Sequence, residues 1–510
     1  MMEAFALLGK IYASFNPIKT AKGMVVSDGK VVFLGDEESA IKKAKELGGE
    51  IIDRRGKIVL PGFIDSHMHL NSLGISLMTL DLRGTKSISE LKGKLSSFRK
   101  GGEKVIIGRG WDQELFSEGR WPRASDLDAV ISDIPVVLVR VCGHAAVLNS
   151  LALEIALEEG MEDYIQRDDK GEPTGVIFED LVGIVLTRMT EWMDKHEIMM
   201  KATMEAARLG VTSVGFMSAK IKDLEILKMM NERNELRTRV FVYLDYKEID
   251  ALKQVNGSID HELLRINGIK LFADGSLGAR TALLSQPYAD SPETSGVAVM
   301  GENELAYWSN RAKELGLQSA IHAIGDAALD NVIGAFKKSG IRGNLGRVEH
   351  ASIVMDDQIQ KLASLGIGAS VQPHFIISDW WLVKRLGMER AKYAYRFKTM
   401  MKAGIDIGFS TDSPVEPLDP WITLDAAVNR GEKEGVELFN LTRDERLSIE
   451  EALHAYTAGS AKLMRAEGIG RLEPGNFADF VIVSGDPFNE DLASLRVLES
   501  YIGGKRVHPI

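Results

Sequence analysis

Strand-like and helical segments alternate from residue 64 to residue 411, and this alternation restricts the fold more than any other feature. Helical patterns such as Glu197–Leu209, which begins after Asp194 and ends at Gly210, separate most of the strand-like runs. Strands that alternate with helices form parallel sheets, and eight such units predict an α/β fold, a (β/α)8 TIM barrel. The eight predicted strands are Ile64–His69, Thr212–Met217, Arg239–Leu244, Asn267–Ala273, Gln318–Ala323, Arg347–Ala351, Gly368–His374 and Asp406–Thr411.

The segment between the first two barrel strands is too long for a single crossover helix. Residues 71–196 contain their own strand-like runs and helical patterns: Ser89–Phe98, Val105–Ile107, Val136–Val141 and Asn149–Glu159. We therefore expect an inserted α+β domain after barrel strand 1, over residues 76–196, which covers the barrel mouth. The barrel would then comprise residues 61–75 and 197–465.

Both ends of the chain have strand-like patterns without enough neighbouring strands to pair with. Phe5–Phe15 near the amino end and Phe477–Val483 near the carboxyl end are the clearest examples. We expect the two ends to pair with each other. The prediction is one small β-sandwich made of residues 1–60 and 466–510.

Length and charge narrow the function classes. A chain of 510 residues is expected to form two or three domains. The net charge of −11 disfavours nucleic acid or an anionic membrane surface as a partner, because both require a basic face. The single cysteine, Cys142, excludes an internal disulfide, and with no secretory signal or membrane-length apolar run we expect a cytoplasmic protein. A small-molecule substrate is the expected partner, and a homo-oligomer stays open.

Metal-ligating residue types end several predicted strands. His67 and His69 end strand 1 in PGFIDSHMHL, and residues two apart in an extended chain point to the same side. His322, His350 and Asp412 end strands 5, 6 and 8. A lone histidine is more often structural, but TIM-barrel chemistry gathers at the carboxyl ends of the strands. Because imidazole and carboxylate bind zinc and related ions, their joint placement predicts a metal site.

Lys270 lies inside the fourth predicted strand, where an ammonium group is costly unless it is paired or neutralised. One interpretation is a lysine that pairs with Asp274 or extends its amine to solvent. The alternative is a lysine of lowered pKa that has taken up carbon dioxide. The resulting carbamate has the shape and charge of a carboxylate and can bridge two metals.

Together these residues resemble the amidohydrolase superfamily, in particular its amidohydrolase-3, YtcJ-like branch, which includes N-substituted formamide deformylase. Longer motifs carry the same resemblance: GRGWDQELF at Gly108–Phe116, CGHAAVLNS at Cys142–Ser150, KLFADGSLGARTALL at Lys270–Leu284 and GRLEPGNFADFVIV at Gly470–Val483. The resemblance covers essentially the whole chain. It implies a metal-bearing barrel beside a terminal β-sandwich.

The resemblance also assigns the metal ligands. It implies that His67 and His69 hold the more buried metal with Asp412, and that the remaining ligands are His322, His350 and a carboxylated, bridging Lys270. Two zinc ions are expected, although iron, manganese and cobalt share this ligand set. Some superfamily members use one metal, so a single-metal site stays open.

The expected reaction is hydrolysis of a C–N bond of amide or formamide type. Two metals that share a hydroxide would lower the pKa of water from ~15.7 towards ~7 and so provide a nucleophile. Asp412 is the candidate that accepts the proton and passes it to the leaving nitrogen. His144, between Gly143 and Ala145 in the inserted segment, is the candidate for a further catalytic contact with the carbonyl oxygen.

The candidate substrate contacts come from loops. Trp111 and Asp112 lie in the inserted segment, Arg280 follows the fourth barrel strand and His374 ends the seventh. Each of these residues could equally serve ordinary packing. A single-metal deaminase or an esterase of the same superfamily is the alternative function. A non-catalytic scaffold is disfavoured, because all six ligand positions are filled.

Overall fold

The amino-terminal part of the chain forms strands and one helix before the barrel begins. The computed structural model describes residues 4–254 and 261–509. Its first elements are β1 (Phe5–Phe15), β2 (Ile18–Ser27), β3 (Lys30–Gly35), α1 (Glu37–Glu46), β4 (Glu50–Pro61), β5 (Phe63–Met68) and α2 (Leu70–Leu77). Helix α1 begins where the side chain of Asp36 accepts a hydrogen bond from the backbone N–H of Ser39, which satisfies a free donor of the first turn.

Residues 71–201 form a compact unit of their own, inserted after β5. Its six strands lie in the order β10-β11-β9-β8-β7-β6. Val137 and Val139 of β8 contribute to one apolar cluster, whereas Val136 and Leu138 contribute to another, as expected for alternate faces of a strand. The elements are β6 (Leu80–Asp81), α3 (Ile88–Phe98), β7 (Ile106–Trp111), α4 (Ala124–Asp128), β8 (Val136–Arg140), β9 (Ala145–Leu148), α5 (Ser150–Leu157), β10 (Ile165–Arg167), β11 (Pro173–Phe178) and α6 (Asp180–Trp192).

The remaining chain supplies seven further barrel strands and their helices. In chain order they are α7 (Lys195–Arg208), β12 (Val211–Ala219), α8 (Ile221–Glu232), β13 (Arg239–Asp245), β14 (Leu264–Phe272), α9 (Glu302–Glu314), β15 (Gln318–Ala323), α10 (Asp326–Ser339), β16 (Gly346–His350), α11 (Asp356–Leu365), β17 (Gly368–Val371), α12 (Phe375–Ser378), α13 (Leu382–Leu386), α14 (Met388–Ala391), α15 (Phe397–Lys402) and β18 (Ile407–Phe409). The chain ends with α16 (Pro420–Asn429), α17 (Glu437–Thr442), α18 (Ile449–His454), α19 (Ser460–Leu463), β19 (Phe480–Val483), β20 (Val497–Ile502) and β21 (Lys505–His508).

The predicted parallel barrel is confirmed. Its eight strands run in the order β18-β17-β16-β15-β14-β13-β12-β5, and each paired neighbour is parallel. The strands are buried almost throughout, because helices cover a parallel sheet on its outer face. Two backbone hydrogen bonds bring the first and last strands together, from Asp412 N–H to the His67 carbonyl at 2.9 Å and from His69 N–H to the Ser413 carbonyl at 2.8 Å.

Two predicted strands extend two or more residues beyond the observed carboxyl ends. The seventh was expected to reach His374, but β17 ends at Val371, shortly before Pro373, which has no N–H to donate to a ladder. The eighth was expected to reach Thr411, but β18 ends at Phe409. Asp412 adopts a positive φ of 56°, so the chain turns near the rim of the barrel.

The two ends of the chain form one seven-stranded sheet in the order β21-β20-β19-β4-β1-β2-β3. Strand β19 pairs antiparallel with β4, so Phe480 lies opposite Pro61 and the ends meet as expected. Their arrangement as a sandwich stays a prediction. A buried ion pair, from Arg239 of β13 to Asp479 at 2.6 Å, connects this sheet to the barrel. Both belong to the same compact unit, which leaves out residues 71–201, and their division into two domains stays a prediction.

Across the described residues, every helix is too short or too polar to traverse a bilayer.

Candidate metal centre

The structure brings all six predicted ligands to one cavity at the carboxyl ends of the barrel strands. The cavity has a volume of about 480 Å³, and its lining includes His67, His69, Lys270, His322, His350 and Asp412. Clefts of about 820 and 850 Å³ lie elsewhere and are lined by none of the six. Residues separated by hundreds of positions therefore meet because they lie at or near the carboxyl ends of five strands of the same barrel.

His67, His69 and Asp412 form one side of the centre. Nε2 of His67 lies 3.3 Å from Oδ1 of Asp412, and Nε2 of His69 lies 3.1 Å from the same oxygen. His67 is almost fully buried, whereas the His69 side chain is 26% exposed. Met68 between them is buried in packing, which is the arrangement that two-residue strand periodicity requires.

His350 and His322 form the other side. The His350 ring centroid lies 4.9 Å from that of His67 and 4.5 Å from that of His322. Nδ1 of His350 is 2.8 Å from Oε1 of Gln372, and Nε2 of His322 is 2.9 Å from the carbonyl oxygen of Gly275. These acceptors fix one nitrogen of each ring and leave the other available to a metal.

Lys270 is buried with 1% of its surface exposed, and among the described residues no group accepts a hydrogen bond from its Nζ. Burial lowers the pKa of Lys270 to about 8. The predicted alternative of a pair with Asp274 is not what the structure contains. Asp274 instead accepts hydrogen bonds from the backbone N–H groups of Ile324 and Gly325 and lies 3.3 Å from His322.

A buried ion pair supports His67, and sequence analysis missed it. Nδ1 of His67 is 2.5 Å from Oε2 of Glu349, whose other oxygen pairs with Nε of Arg347 at 2.5 Å. Burial would raise the pKa of Glu349, but Arg347 and His67 outweigh it and hold the carboxyl ionised. The anion fixes the proton of His67 on Nδ1 and turns Nε2 towards the cavity. The motif RVEH places Arg347 and Glu349 two residues apart on one strand, a spacing that could have revealed the pair.

The donor set fits a divalent metal. Potential ligand atoms of His67, His350 and Asp412 lie within 4.8 Å of one another. Nε2 of His67 and Oδ1 of Asp412 are buried and make no hydrogen bond within the described part of the chain. Burial lowers the pKa of His67 and of His350, which favours the neutral form of both imidazoles. Burial would raise the pKa of Asp412, but His67 and His69 outweigh it and keep the carboxylate ionised. Neutral imidazole and ionised carboxylate are the forms that bind zinc.

The profile of the amidohydrolase family matches residues 50–508. The chain belongs to the amidohydrolase family. It is 32% identical to the amidohydrolase YtcJ of Bacillus subtilis (strain 168), over 98% of this chain and 97% of YtcJ. It is 24% identical to N-substituted formamide deformylase of Arthrobacter pascens, over 95% of this chain and 94% of that protein. The resemblance predicted from the strand-end motifs is therefore confirmed.

A solved structure agrees with the family assignment. An uncharacterized metal-dependent hydrolase of Pyrococcus horikoshii OT3 superposes with a TM-score of 0.85 at 45% identity, over 96% of this chain and 99% of that chain. For this member of the amidohydrolase family, the family and this neighbour support a hydrolase that depends on a divalent metal.

Two predicted substrate contacts in the barrel unit have other partners. Nη2 of Arg280 pairs with Asp290 at 2.9 Å, and Arg280 is not among the described residues that line the cavity. Arg280 was expected in the pocket because it follows the glycine-rich turn after β14. His374 also lies outside the lining, but its Nδ1 hydrogen-bonds with Glu416, which does line the cavity. His374 therefore positions a cavity residue.

Three predicted site residues belong to the inserted unit. Trp111 is fully buried among Phe116 and Trp121, and its Nε1 donates to the Leu138 carbonyl at 2.7 Å, which favours a packing role. The other two residues are more accessible. Asp112 pairs with Arg140 at 2.8 Å, and His144, whose side chain is 71% exposed, lies 3.1 Å from Glu179. Their contribution to catalysis or substrate binding stays a prediction.

Proposed function

We propose that the protein hydrolyses a C–N bond of an amide or formamide and that its centre holds two zinc ions. The observation that supports this most is the convergence of four histidines, one aspartate and one buried lysine on a single cavity, where the lysine Nζ has no hydrogen-bond partner among the described residues. The name of the Arthrobacter relative supports a formamide-type substrate. Iron, manganese or cobalt would satisfy the same ligands.

The ligands divide into two groups in this proposal. His67 and His69 would hold one ion with Asp412, while His322 and His350 would hold the other. A divalent metal at such a centre lowers the pKa of water and polarises a carbonyl group. Burial favours the neutral form of His67 and His350, in which a ring nitrogen is free to donate an electron pair.

Asp412 is the proposed proton carrier. Its carboxylate is ionised and nearly buried, so it can accept a proton from water and return it to the leaving nitrogen. This return is necessary because an amine leaves far more readily than an amide anion. A further contact from His144 to the carbonyl oxygen is part of the proposal.

Lys270 is the proposed bridge between the two ions. Its lowered pKa leaves a fraction of the amine neutral at pH 7. The amine nitrogen would form a bond to the carbon of carbon dioxide and release one proton, which gives a carbamate. The product is an anion, so it would replace a buried positive charge with a negative one beside the ligands.

Metal content and a substrate panel test the proposal together. The zinc-loaded protein should contain about two ions per chain and should hydrolyse members of a panel of amides, formamides and esters. One tightly held ion with deaminase or esterase activity would favour the alternative. Two ions without activity on any member of the panel would argue for a scaffold.

A further inference from the structure

The cavity beside the predicted ligands has a second wall with a distinct chemistry. Apart from the six ligands, the described lining residues with ionisable side chains are Asp379 and Glu416, and both are acidic. Much of the remaining lining is apolar: Phe272, Leu277, Ile324, Phe375, Trp381 and Val415. This wall combines negative charge with a hydrophobic surface.

The acidic wall comes from the loops after the last two barrel strands. Asp379 directly follows α12, and Glu416 lies four residues after Asp412. The Phe375 ring of α12 is stacked on His350, with centroids 6.2 Å apart and planes at 10°. The wall is therefore continuous with the ligands, so one molecule could contact both.

Hydrogen bonds from neighbouring side chains hold the two carboxylates in place. Glu416 accepts hydrogen bonds from His374 and Ser378, and Asp379 accepts one from the Tyr395 hydroxyl at 2.5 Å. The guanidinium of Arg385 lies over Trp381 at 5.0 Å, but its Nη1 is paired with Asp290 at 2.7 Å.

Burial and the neighbouring Glu416 raise the pKa of Asp379 to about 6. In an apolar cavity, ionisation of one carboxyl group disfavours ionisation of its neighbour, and a cation between the two groups favours the ionised form of both. A cation of the substrate would relieve their mutual repulsion and replace the solvation that they have lost.

We propose that the substrate carries an ammonium group on an apolar or aromatic body, and that Asp379 and Glu416 bind this group while the scissile bond meets the metal centre. The inference rests on the proposed function, because it assigns the substrate class of that same cavity. Phe375 and Trp381 would contact the apolar body. Anionic substrates would be excluded.

A matched set of formamides tests this assignment with the zinc-loaded full chain. The probes are the N-formyl derivatives of para-(aminomethyl)benzylamine, para-ethylbenzylamine and para-(carboxymethyl)benzylamine. The first two differ only by a terminal ammonium in place of a methyl group. We expect kcat/KM to favour the ammonium probe over the ethyl probe by about tenfold or more, and the anionic probe to be poorest.

Variants that remove one negative charge test whether Asp379 and Glu416 cause the preference for the ammonium probe. In Glu416→Gln and in Asp379→Asn, the ratio of kcat/KM for the ammonium and ethyl probes should fall several-fold towards one. The ratio cancels a general loss of activity, and Asp379→Asn still allows the Tyr395 hydroxyl to donate. The control is Glu389→Gln, a surface residue whose side chain is 86% exposed, which should keep the ratio of the unchanged protein.

The outcomes separate the two proposals. If formamides are hydrolysed but the ethyl probe is as good as the ammonium probe, the inference is wrong and the proposed function stands. If no probe is hydrolysed, calorimetry on the same protein measures affinity directly. If the protein then binds the ammonium probe selectively and Glu416→Gln loses this selectivity, the role of the acidic wall is supported. The proposed hydrolysis of a formamide is wrong in that case. Equal or absent binding of the ammonium and ethyl probes would overturn the inference.

Discussion

His67 and His322 both end barrel strands and both face the cavity, but their support differs. Nδ1 of His67 meets the carboxylate of Glu349 at 2.5 Å, and this carboxylate is paired with Arg347 in a position without solvent exposure. Nε2 of His322 meets the neutral carbonyl oxygen of Gly275 at 2.9 Å, and its side chain is 13% exposed.

This difference would make the two proposed metal positions of the centre unequal. A charged acceptor behind an imidazole increases its basicity as a ligand and fixes its orientation more firmly than a neutral one. Exclusion of water strengthens the same interaction. We therefore expect the half of the centre that contains His67 to bind its metal more tightly than the half that contains His322.

The largest effect is expected at Asp412, the proposed proton carrier, which lies beside His67. Asp412→Asn should lower kcat by roughly 10²–10⁴-fold, because the amide cannot accept and return the proton. Steady-state kinetics and circular dichroism should show lost turnover in a folded protein. Asp357→Asn is the control and should keep the kcat of the unchanged protein, because Asp357 pairs with Lys361 on the surface of α11. Substantial residual turnover would remove Asp412 from proton transfer.

Substitution of each histidine tests whether the two halves of the centre differ in metal affinity. After dialysis at limiting zinc, His322→Ala should retain about one ion per chain, and His67→Ala should retain less. The reason is that His322→Ala leaves the carboxylate-supported half intact. Elemental analysis measures both variants side by side. Equal losses, or a greater loss in His322→Ala, would contradict the assigned difference in affinity.

The hydrogen bond between His67 and Glu349 can be weakened without removing a predicted metal ligand. Glu349→Gln should lower zinc affinity by about 10- to 100-fold, because the neutral amide no longer stabilises the Nδ1 proton. Both substitutions should also lower the free energy of unfolding, Glu349→Ala by about 3–5 kcal/mol, since Arg347 would stay buried without its carboxylate. Competition with a chromogenic chelator and thermal melts measure the two effects.

Exposed Glu314 provides the control for this test, and Glu314→Gln should change neither quantity. If Glu349→Gln bound zinc as tightly as the unchanged protein, the carboxylate behind His67 would have no influence on the metal.

The smallest effect is expected at Arg280, outside the centre. Arg280→Ala should leave kcat/KM within about twofold, because Arg280 forms a surface ion pair and Asp290 keeps Arg385 as a partner at 2.7 Å. The measurement is kcat/KM with the formamide that the protein hydrolyses best. A loss of tenfold or more would restore Arg280 as a substrate contact.

The sequence was sufficient to predict the barrel and the meeting of the six candidate ligands at one cavity, because both follow a strict pattern. Apolar strands alternate with helices, and the ligands end these strands, so His322 could be placed without knowledge of its neighbours. Glu349 lay within reach of the same reasoning, because a charged residue inside an apolar strand needs a partner.

The cavity wall could not be derived in this way. Glu416 and Asp379 lie in loops, where side-chain direction has no fixed period. Trp111 was misplaced in the opposite direction. Its position after Gly110 suggested a loop, but it ends β7 and its side chain fills the core of the inserted unit. Packing between distant segments decided these positions.

The most direct test of the account is a crystal structure of the zinc-loaded protein with anomalous data at the zinc edge. We expect anomalous peaks among His67, His69, His322, His350 and Asp412, together with added density at Nζ of Lys270 that contacts them. A bare Lys270 that points away from the histidines would contradict the bridge. An absence of zinc peaks in the cavity would contradict the metal centre itself.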